Sequence, residues 1–382
     1  MASFPMGGEP GREWDDPAGV LGVDEPMANR LTHLLESTSI ESSAPCRIDM
    51  GGTLDISTFF YALGHVSPCT FNAAINLRTR VKLLPFREGM IKVSSTGFDS
   101  AEYPIQKAPF DHPLGLMFAI AAYFNGDGIH IEIDSASPPR SALGGSSAAA
   151  VALIGAFLAA GESVTGPNPP LKKIVMLAHG IEASVAGVPC GIQDQLAAAY
   201  GGVHGWFWPI SLQDPPFRGK AVIRQPSHGK LQQHLLLAYC GVPHISARIN
   251  AQWIQQFLSG TYRESWEEIA TCTGAFVDAL SRKDFGRAAA CMNREVSIRR
   301  EMTPDVLDRL GEELVDAAVE NRCGARFTGA GGGGCIWAIG PDEPIRRLRP
   351  IWEHVLTQRK DARMLEVEID STGLTVSVEK MP

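Results

Sequence analysis

Long apolar segments, a secretion signal and closely spaced cysteines are all missing from this sequence of 382 residues. Its most apolar run, residues 148–160, is shorter than the ~20 residues that a membrane-spanning helix needs. No basic segment followed by an apolar one stands near residue 1. The eight cysteines form neither a C-x-x-C pair nor a Cys/His cluster at zinc spacing. We therefore expect a cytoplasmic protein with free thiols and no membrane partner.

A surplus of basic residues is missing as well. The formal net charge is −8 and the isoelectric point is about 5.7. Lysines and arginines are scattered, and no stripe of them alternates with aromatic residues, which argues against nucleic acid as a partner. What is present, 45% hydrophobic and 20% charged residues, is typical of a folded globular protein. A chain of this length suggests two packed domains.

The patterns along the chain divide it into three parts. We predict a leader over residues 1–40 that is partly disordered or a short helix, a first domain over 41–215 and a second over 216–382. The boundary follows from a shift to Pro, Gly and basic residues between 209 and 230. Both halves combine helical periods with strand-like alternation, which predicts an α+β protein.

The segment 143–148, Leu-Gly-Gly-Ser-Ser-Ala, precedes the most apolar helix of the chain. Two glycines allow close backbone approach, and serines at a helix start leave its first N–H groups available to an anion. No G-K-[ST] follows, so the segment is not a Walker A loop. Taken alone, a serine-capped turn between strand and helix explains it at least as well as a phosphate site.

A second glycine run, Gly-Ala-Gly-Gly-Gly-Gly at 329–334, lies between two apolar strand-like segments. Glycines in a β context mark places where a ligand or another backbone comes very close. Apolar residues on both sides argue against a flexible linker. Two such runs in one chain favour a phosphate-binding function over a pair of tight turns.

Four segments in order and spacing resemble the GHMP kinase superfamily, named for galacto-, homoserine, mevalonate and phosphomevalonate kinases. They are Ala-Pro-Cys-Arg-Ile-Asp-Met-Gly-Gly-Thr at 44–53, the loop 138–149, the segment Gly-Ile-Gln-Asp-Gln at 191–195 and the second glycine run. Further similarity is to the branch that phosphorylates heptose 7-phosphates and other sugars. Arg326 stands where that family often has lysine.

The resemblance implies an α+β fold of two domains with the active site in the cleft between them. The N-terminal domain would be like the second domain of ribosomal protein S5, and the C-terminal domain would be ferredoxin-like. It also implies ATP and Mg²⁺ as cofactors, a small-molecule sugar substrate, and transfer of phosphate to its anomeric hydroxyl. The chain would act as a monomer or homodimer.

The resemblance also assigns roles to individual residues. Asp194 would be the catalytic base and Arg47 its cationic partner. Magnesium would bind Ser147 and Glu182. The expected ATP contacts are Leu143, Gly144, Gly145, Ser146, Ser147, Ala148, Gly331 and Gly332. The expected substrate contacts are Gly52, Thr53, Asp55 and Gly333. A phosphate on the substrate would have Arg140, Arg248 and Arg300 as candidate partners.

Simpler explanations exist for several of these residues taken one by one. Asp194 suits a helix-capping turn, and Glu182 suits an exposed helix acid. Asp55 suits an N-cap before the segment 56–60, and Arg47 suits a salt bridge at a strand edge. Two other functions also remain open: phosphorylation of a non-sugar alcohol such as mevalonate, and ligand sensing by an inactive relative.

Overall fold

The computed structural model describes residues 27–161, 170–187, 189–211, 213–243 and 246–380. Residues 1–26, most of the predicted leader, lie outside the described residues. Within the described ranges, no helix is both long enough and apolar enough to cross a membrane.

The strands follow the alternation of the sequence and include one very long member, β2. They are β1 (Thr38–Met50), β2 (Cys69–Pro85), β3 (Met90–Ser95), β4 (Phe98–Pro104), β5 (Ile129–Ser135), β6 (Val203–Phe207), β7 (Arg218–Ile223), β8 (Leu235–Tyr239), β9 (Gly324–Phe327), β10 (Cys335–Ile339), β11 (Arg363–Met364) and β12 (Thr375–Lys380).

The described residues also form twelve α-helices. They are α1 (Met27–Ser37), α2 (Ser57–Phe60), α3 (Gly115–Tyr123), α4 (Gly145–Gly161), α5 (Leu171–Ala186), α6 (Gln193–Tyr200), α7 (His228–Gln232), α8 (Ser246–Leu258), α9 (Arg263–Ser281), α10 (Phe285–Met302), α11 (Arg309–Glu320) and α12 (Asp342–Leu356).

The first sheet has eight strands in the described chain, and its main path runs β12-β1-β2-β5-β3-β4. Strand β6 also pairs with the long β2, and β7 pairs with β6. Helix α4 packs across β1 and β2 and is enclosed by α3, α5 and α6. That burial explains why the sequence of α4 is apolar on every face.

The second sheet contains four antiparallel strands in the order β11-β8-β10-β9. Helices α10, α11 and α12 pack on it, and α9 packs between α10 and the first sheet. This mixture of sheets and helices confirms the predicted α+β class. Strands β7 and β12 follow residue 215 yet pair within the first sheet. The division of domains at 215/216 stays a prediction.

Strand β1 carries an irregularity that matters for the site. Its register with β2 shifts between Pro45 and Cys46. Proline has no N–H for the ladder, and so it is confined to sheet edges and to bulges of this kind. A bulge also changes the direction in which the following side chains point. Arg47 follows the bulge directly and is 4% exposed.

Candidate active site

A cavity of about 470 Å³ lies where the first sheet, α4, α6 and the second glycine run meet. Most of the predicted site residues line it. They are Arg47, Thr53, Asp55, Leu143, Gly144, Gly145, Ser146, Ser147, Glu182 and Asp194. Five predicted residues are not among its lining: Gly52, Ala148, Gly331, Gly332 and Gly333. Gly329 and Ala330, which the predictions left out, do line it.

The glycine-serine loop ends in the first turn of α4, which faces the cavity. The N–H of Ala148 donates to the carbonyl of Gly144 at 2.9 Å. The amides of residues 145–147 therefore precede the ladder of the helix and have no partner within it. Together with the positive end of the 17-residue helix they suit an anion. A phosphate group fits this end of the cavity.

Glycine is required at position 144 for two reasons. Its φ is +77°, which is a left-handed conformation. A Cβ there would also lie 3.2 Å from the carboxyl carbon of Asp194. The backbone of the loop therefore packs closely against the predicted base Asp194.

Arg47 and Asp194 form the central ion pair of the cavity. The Arg47 Nε donates to Asp194 Oδ1 at 2.7 Å, and Arg47 Nη1 donates to the carbonyl of Ala142 at 2.6 Å. Burial by itself would lower the pKa of Arg47, but the charges of Asp194 and Asp49 outweigh it and raise that pKa. Asp194 is 24% exposed, so the carboxylate faces the cavity while its partner stays buried.

The pairing replaces the simpler explanation of Asp194 as a helix cap and gives Arg47 a buried ion pair. Asp194 lies in the first turn of α6, but its carboxylate binds Arg47 instead of capping that helix. Arg47 lies beyond the pairing of β1 with β12, which ends at Ser43, and its backbone N–H donates to the carbonyl of Leu143 at 2.9 Å, so the glycine-serine loop covers the strand edge here. A buried guanidinium of this kind fixes the orientation of the carboxylate that it binds.

Ser147 and Glu182 come together although 35 residues separate them. The Ser147 hydroxyl donates to Glu182 Oε2 at 2.8 Å, and Gln195 Nε2 donates to the same oxygen at 2.6 Å. Burial, first of all, raises the pKa of Glu182 to about 7. Adjacent ligands of an octahedral Mg²⁺ at about 2.1 Å are roughly 3 Å apart, so this oxygen pair fits the ion.

Asp55 also lines the cavity, and its carboxylate lies against the start of α6. Its Oδ2 accepts from the N–H of Gln193 at 3.0 Å, and burial raises its pKa to about 6. The residue before α2 is Ile56, which makes no side-chain cap, so Asp55 is not the N-cap of α2. A Cβ on Gly191 would lie 1.7 Å from Asp55 Oδ2. Only glycine leaves room for this carboxylate.

The second glycine run supports the first loop more than it lines the cavity. Gly329 donates its N–H to Asp49 Oδ1 at 2.7 Å. A Cβ on Gly334 would lie 2.6 Å from the carbonyl oxygen of Ser141.

The three glycines between them are packed against protein. Added Cβ atoms on Gly331, Gly332 and Gly333 would meet Val306 O, Ile249 Cδ1 and Pro243 O within 3 Å. The contacts of these glycines with ATP or substrate therefore stay predictions.

Two glutamines of α6 were not predicted as site residues. Gln195 binds the predicted metal ligand Glu182. Gln193 lines the cavity, and its Oε1 has no hydrogen-bond partner within the described part of the chain. The motif Gln-Asp-Gln at 193–195 was the available signal, because both glutamines flank the predicted base Asp194 in the first turn of α6.

Asp49, Glu295, Arg299 and Arg326 also escaped prediction as site residues, and all four are fully buried. Of the candidates for binding a substrate phosphate, Arg140 lines the cavity. Arg300 instead pairs with Glu312 and with Asp316. The side chain of Arg248 lies outside the described residues.

Known proteins with similar sequences are kinases. Residues 113–202, which carry the first loop and Asp194, match the GHMP kinases N terminal domain family. Mevalonate kinase of Thermococcus gammatolerans is 26% identical over 299 residues, or 71% of this chain and 82% of the relative. Glucuronokinase 1 of Arabidopsis thaliana is 26% identical over 198 residues, or 51% and 49% of the two chains. The resemblance predicted from the motifs is confirmed.

Solved structures show the same fold. A D-glycero-D-manno-heptose 1-phosphate kinase from Bacteriodes thetaiotaomicron superposes with a TM-score of 0.65 at 18% identity. The alignment covers 88% of this chain and 98% of that one. At this identity the likeness concerns architecture alone, and the substrate has to be argued from the residues of the cavity.

Proposed function

We propose that this chain, whose residues 113–202 match the GHMP kinases N terminal domain family, transfers phosphate from ATP to the anomeric hydroxyl of a sugar or sugar phosphate. The observation that carries the proposal is the position of Asp194. Its carboxylate is held by Arg47 next to Gly144, at the start of a helix suited to phosphate, and the neighbouring Gln193 binds Asp55 on the proposed acceptor side. A base between a donor site and an acceptor site is what phosphoryl transfer requires.

The proposed chemistry needs positioning more than covalent catalysis. A substrate hydroxyl bound at the Asp55 end would donate its proton to Asp194 as it attacks the γ-phosphorus of ATP. Arg47 holds the Asp194 carboxylate in place through its Nε at 2.7 Å and balances negative charge near the transferring group. The buried side of the pair excludes water that would otherwise compete for the base.

The phosphate end of the cavity is built from backbone amides. The N–H groups of residues 145–147 would bind the phosphate oxygens of ATP. Ser147 and Glu182 would hold Mg²⁺, which neutralises phosphate charge. Gln195 fixes the Glu182 carboxylate through Oε2, and so it orients that ligand from behind.

The acceptor end favours a substrate with several hydroxyl groups. Asp55 is 4% exposed, and its carboxylate keeps acceptor capacity beyond its one bond to Gln193. The Gln193 side-chain oxygen adds a second acceptor. Buried acceptors that need hydroxyl donors select strongly against substrates without them.

Mevalonate is the second candidate, because a mevalonate kinase is among the similar proteins. Mevalonate differs from a sugar in that it carries a carboxylate and few hydroxyl groups. A substrate with few hydroxyl groups offers fewer donors to Asp55 and to the Gln193 side-chain oxygen than a sugar does. We therefore rank a sugar first and a non-sugar alcohol second.

A substrate panel tests the proposal. Purified full-length protein with MgATP is assayed for ADP release on D-galactose, D-glucuronate, a heptose 7-phosphate and (R)-mevalonate. We expect turnover on a sugar, with a phosphorus resonance that identifies a sugar 1-phosphate. Turnover on mevalonate alone would refute the sugar assignment, and ligand binding without any turnover would favour a sensor.

A further inference from the structure

A chain of alternating charges runs from the catalytic pair into the second half of the protein. Its members, in order of contact, are Asp194, Arg47, Asp49, Arg326, Glu295 and Arg299. Three are acids and three are arginines, so the charges balance. The last four are fully buried, with side-chain exposures of 0%.

The contacts along this charge chain are short at each step. Arg47 Nη1 lies 3.3 Å from Asp49 Oδ1, and Arg326 Nη1 lies 3.1 Å from Asp49 Oδ2. Arg326 Nε then binds Glu295 Oε2 at 3.0 Å, and Arg299 Nε binds Glu295 Oε1 at 2.5 Å. Asp49 and Glu295 are thus each shared between two arginines.

The far end of the charge chain holds the predicted substrate turn. Arg299 Nη2 donates to the carbonyl of Gly52 at 2.7 Å, and Nη1 donates to Thr53 Oγ1 at 3.2 Å. Thr53 has a φ of +80°, a left-handed conformation that a β-branched residue rarely adopts. Such a conformation persists only where surrounding contacts enforce it. Arg299 supplies those contacts.

Stability alone does not explain this arrangement. Removing charges from water is costly, and buried ion pairs are often no more stabilising than apolar residues of similar volume. What they can supply is a single defined geometry. Here the geometry concerns Thr53, Arg47 and, through Asp49, the amide of Gly329, all of which line the cavity.

We propose that Arg299 and Arg326 are positioning residues: Arg299 fixes the turn at residues 52–53, and Arg326 fixes Asp49 and hence Arg47. The part that concerns substrate affinity rests on the proposed function, because it takes this turn as the substrate-binding turn. Neither arginine lines the cavity, and so both act through other residues. The two arginines lie on α10 and β9, which makes the second half of the chain a determinant of a site built mostly by the first.

The variant Arg299→Lys tests the proposal directly. Lysine keeps the positive charge beside Glu295 but cannot bind Glu295, Gly52 and Thr53 together, because it lacks the planar fork. The turn's own bonds, from the amide of Leu54 to Gly51 and of Ile56 to Thr53, report on its order. We expect hydrogen exchange in a peptide spanning 50–60 to become about tenfold faster. Exchange across α4 should stay unchanged.

Kinetics with the sugar that turns over add a second readout. In Arg299→Lys we expect the KM for the sugar to rise about tenfold while the KM for ATP changes less than about twofold. In Arg326→Lys we expect kcat to fall instead, because Asp49 no longer holds Arg47 from its far side. A merely structural role would change both KM values and kcat together.

Arg294→Lys is the matched control on the same helix. Arg294 also binds one carboxylate, that of Glu268, through two nitrogens at 2.6 and 2.9 Å. Its side chain is 51% exposed, and Glu268 is not a member of the charge chain. We expect this variant to change neither exchange nor kinetics. If Arg299→Lys fails to fold, the double variant Glu295→Met with Arg299→Met replaces the pair without leaving a lone charge, and should show the same local exchange.

The exchange experiment needs no substrate, so it is independent of the proposed function. Unchanged exchange at 50–60 in the folded variants would overturn the role of Arg299, and so would equal acceleration in α4. Accelerated exchange with no sugar turned over would uphold the positioning role and count against the proposed function alone.

Discussion

Replacing Asp55 by asparagine should make the protein more stable and less active. Burial raises the pKa of Asp55 from 3.8 to about 6, so the folded protein binds its proton more tightly than the unfolded chain does. An acid with a raised pKa favours folding less as pH rises from the unfolded value toward the folded one. Above about pH 6 the folded protein carries the full free-energy cost of burying the ionised Asp55, whereas a neutral asparagine at position 55 carries no such cost.

The magnitude follows from the two pKa values. The pKa difference between 3.8 and about 6 corresponds to a loss of folding free energy of about 3 kcal/mol near pH 7.5. At pH 5, where Asp55 is protonated in most of the folded population, the loss is about 1.5 kcal/mol. For a chain of 382 residues, about 3 kcal/mol is a rise in Tm of roughly 4 °C. Asparagine Oδ1 can still accept from Gln193, so that contact is kept.

Urea denaturation at pH 5 and pH 7.5 measures the effect. The stability gained by Asp55→Asn should be about twice as large at the higher pH. Activity on the sugar should fall about 10- to 100-fold in kcat/KM, because the charged acceptor for a hydroxyl is gone. Asp99→Asn, at an exposed position of β4, is the control and should change stability by less than about 0.5 kcal/mol. A pH-independent gain, or none, would refute the burial of an ionisable Asp55.

Three further substitutions probe the other parts of the site. Asp194→Asn should reduce kcat at least about 1,000-fold while MgATP still binds in calorimetry, and substantial residual turnover would show that another group is the base. Ser147→Ala should raise the magnesium concentration needed for half-maximal rate about tenfold, and an unchanged magnesium dependence would contradict its role as a ligand. Gly191→Ala should lower both Tm and activity, because a Cβ would meet Asp55 Oδ2 at 1.7 Å; an active, stable variant would show that the turn can move aside.

Local features of the sequence were enough to predict helix α4 and the glycine-serine turn that precedes it. The apolar residues 148–160 predicted a buried helix, and the glycines and serines before them predicted its exposed N-terminus. Both are properties of a few neighbouring residues, and local backbone preference and burial decide them. The segment around Asp194 was likewise recognisable because its residues are adjacent along the chain.

Partners distant in sequence could not be predicted in this way. Arg326 differs from the family pattern only in replacing a frequent lysine, and Arg299 is one of several charged residues on an amphipathic helix. In the structure their partners are Asp49 and Glu295. Asp49 and Arg326 are 277 residues apart in the sequence. Which acid a buried arginine meets depends on how strands and helices pack, and no short segment contains that information.

The sequence by itself determined the buried helix α4, the glycine-serine turn before it and glycines that permit close approach, and its resemblance to known kinases implied that Arg47 and Asp194 share one site. Only the tertiary structure decided which glycines line the cavity, and that Gly331, Gly332 and Gly333 pack against protein instead. It also decided that Asp55 binds the start of α6 and not of α2. The physical reason is that residue type sets what a group can do, whereas burial and its neighbours in space set whether it meets a ligand or another part of the chain.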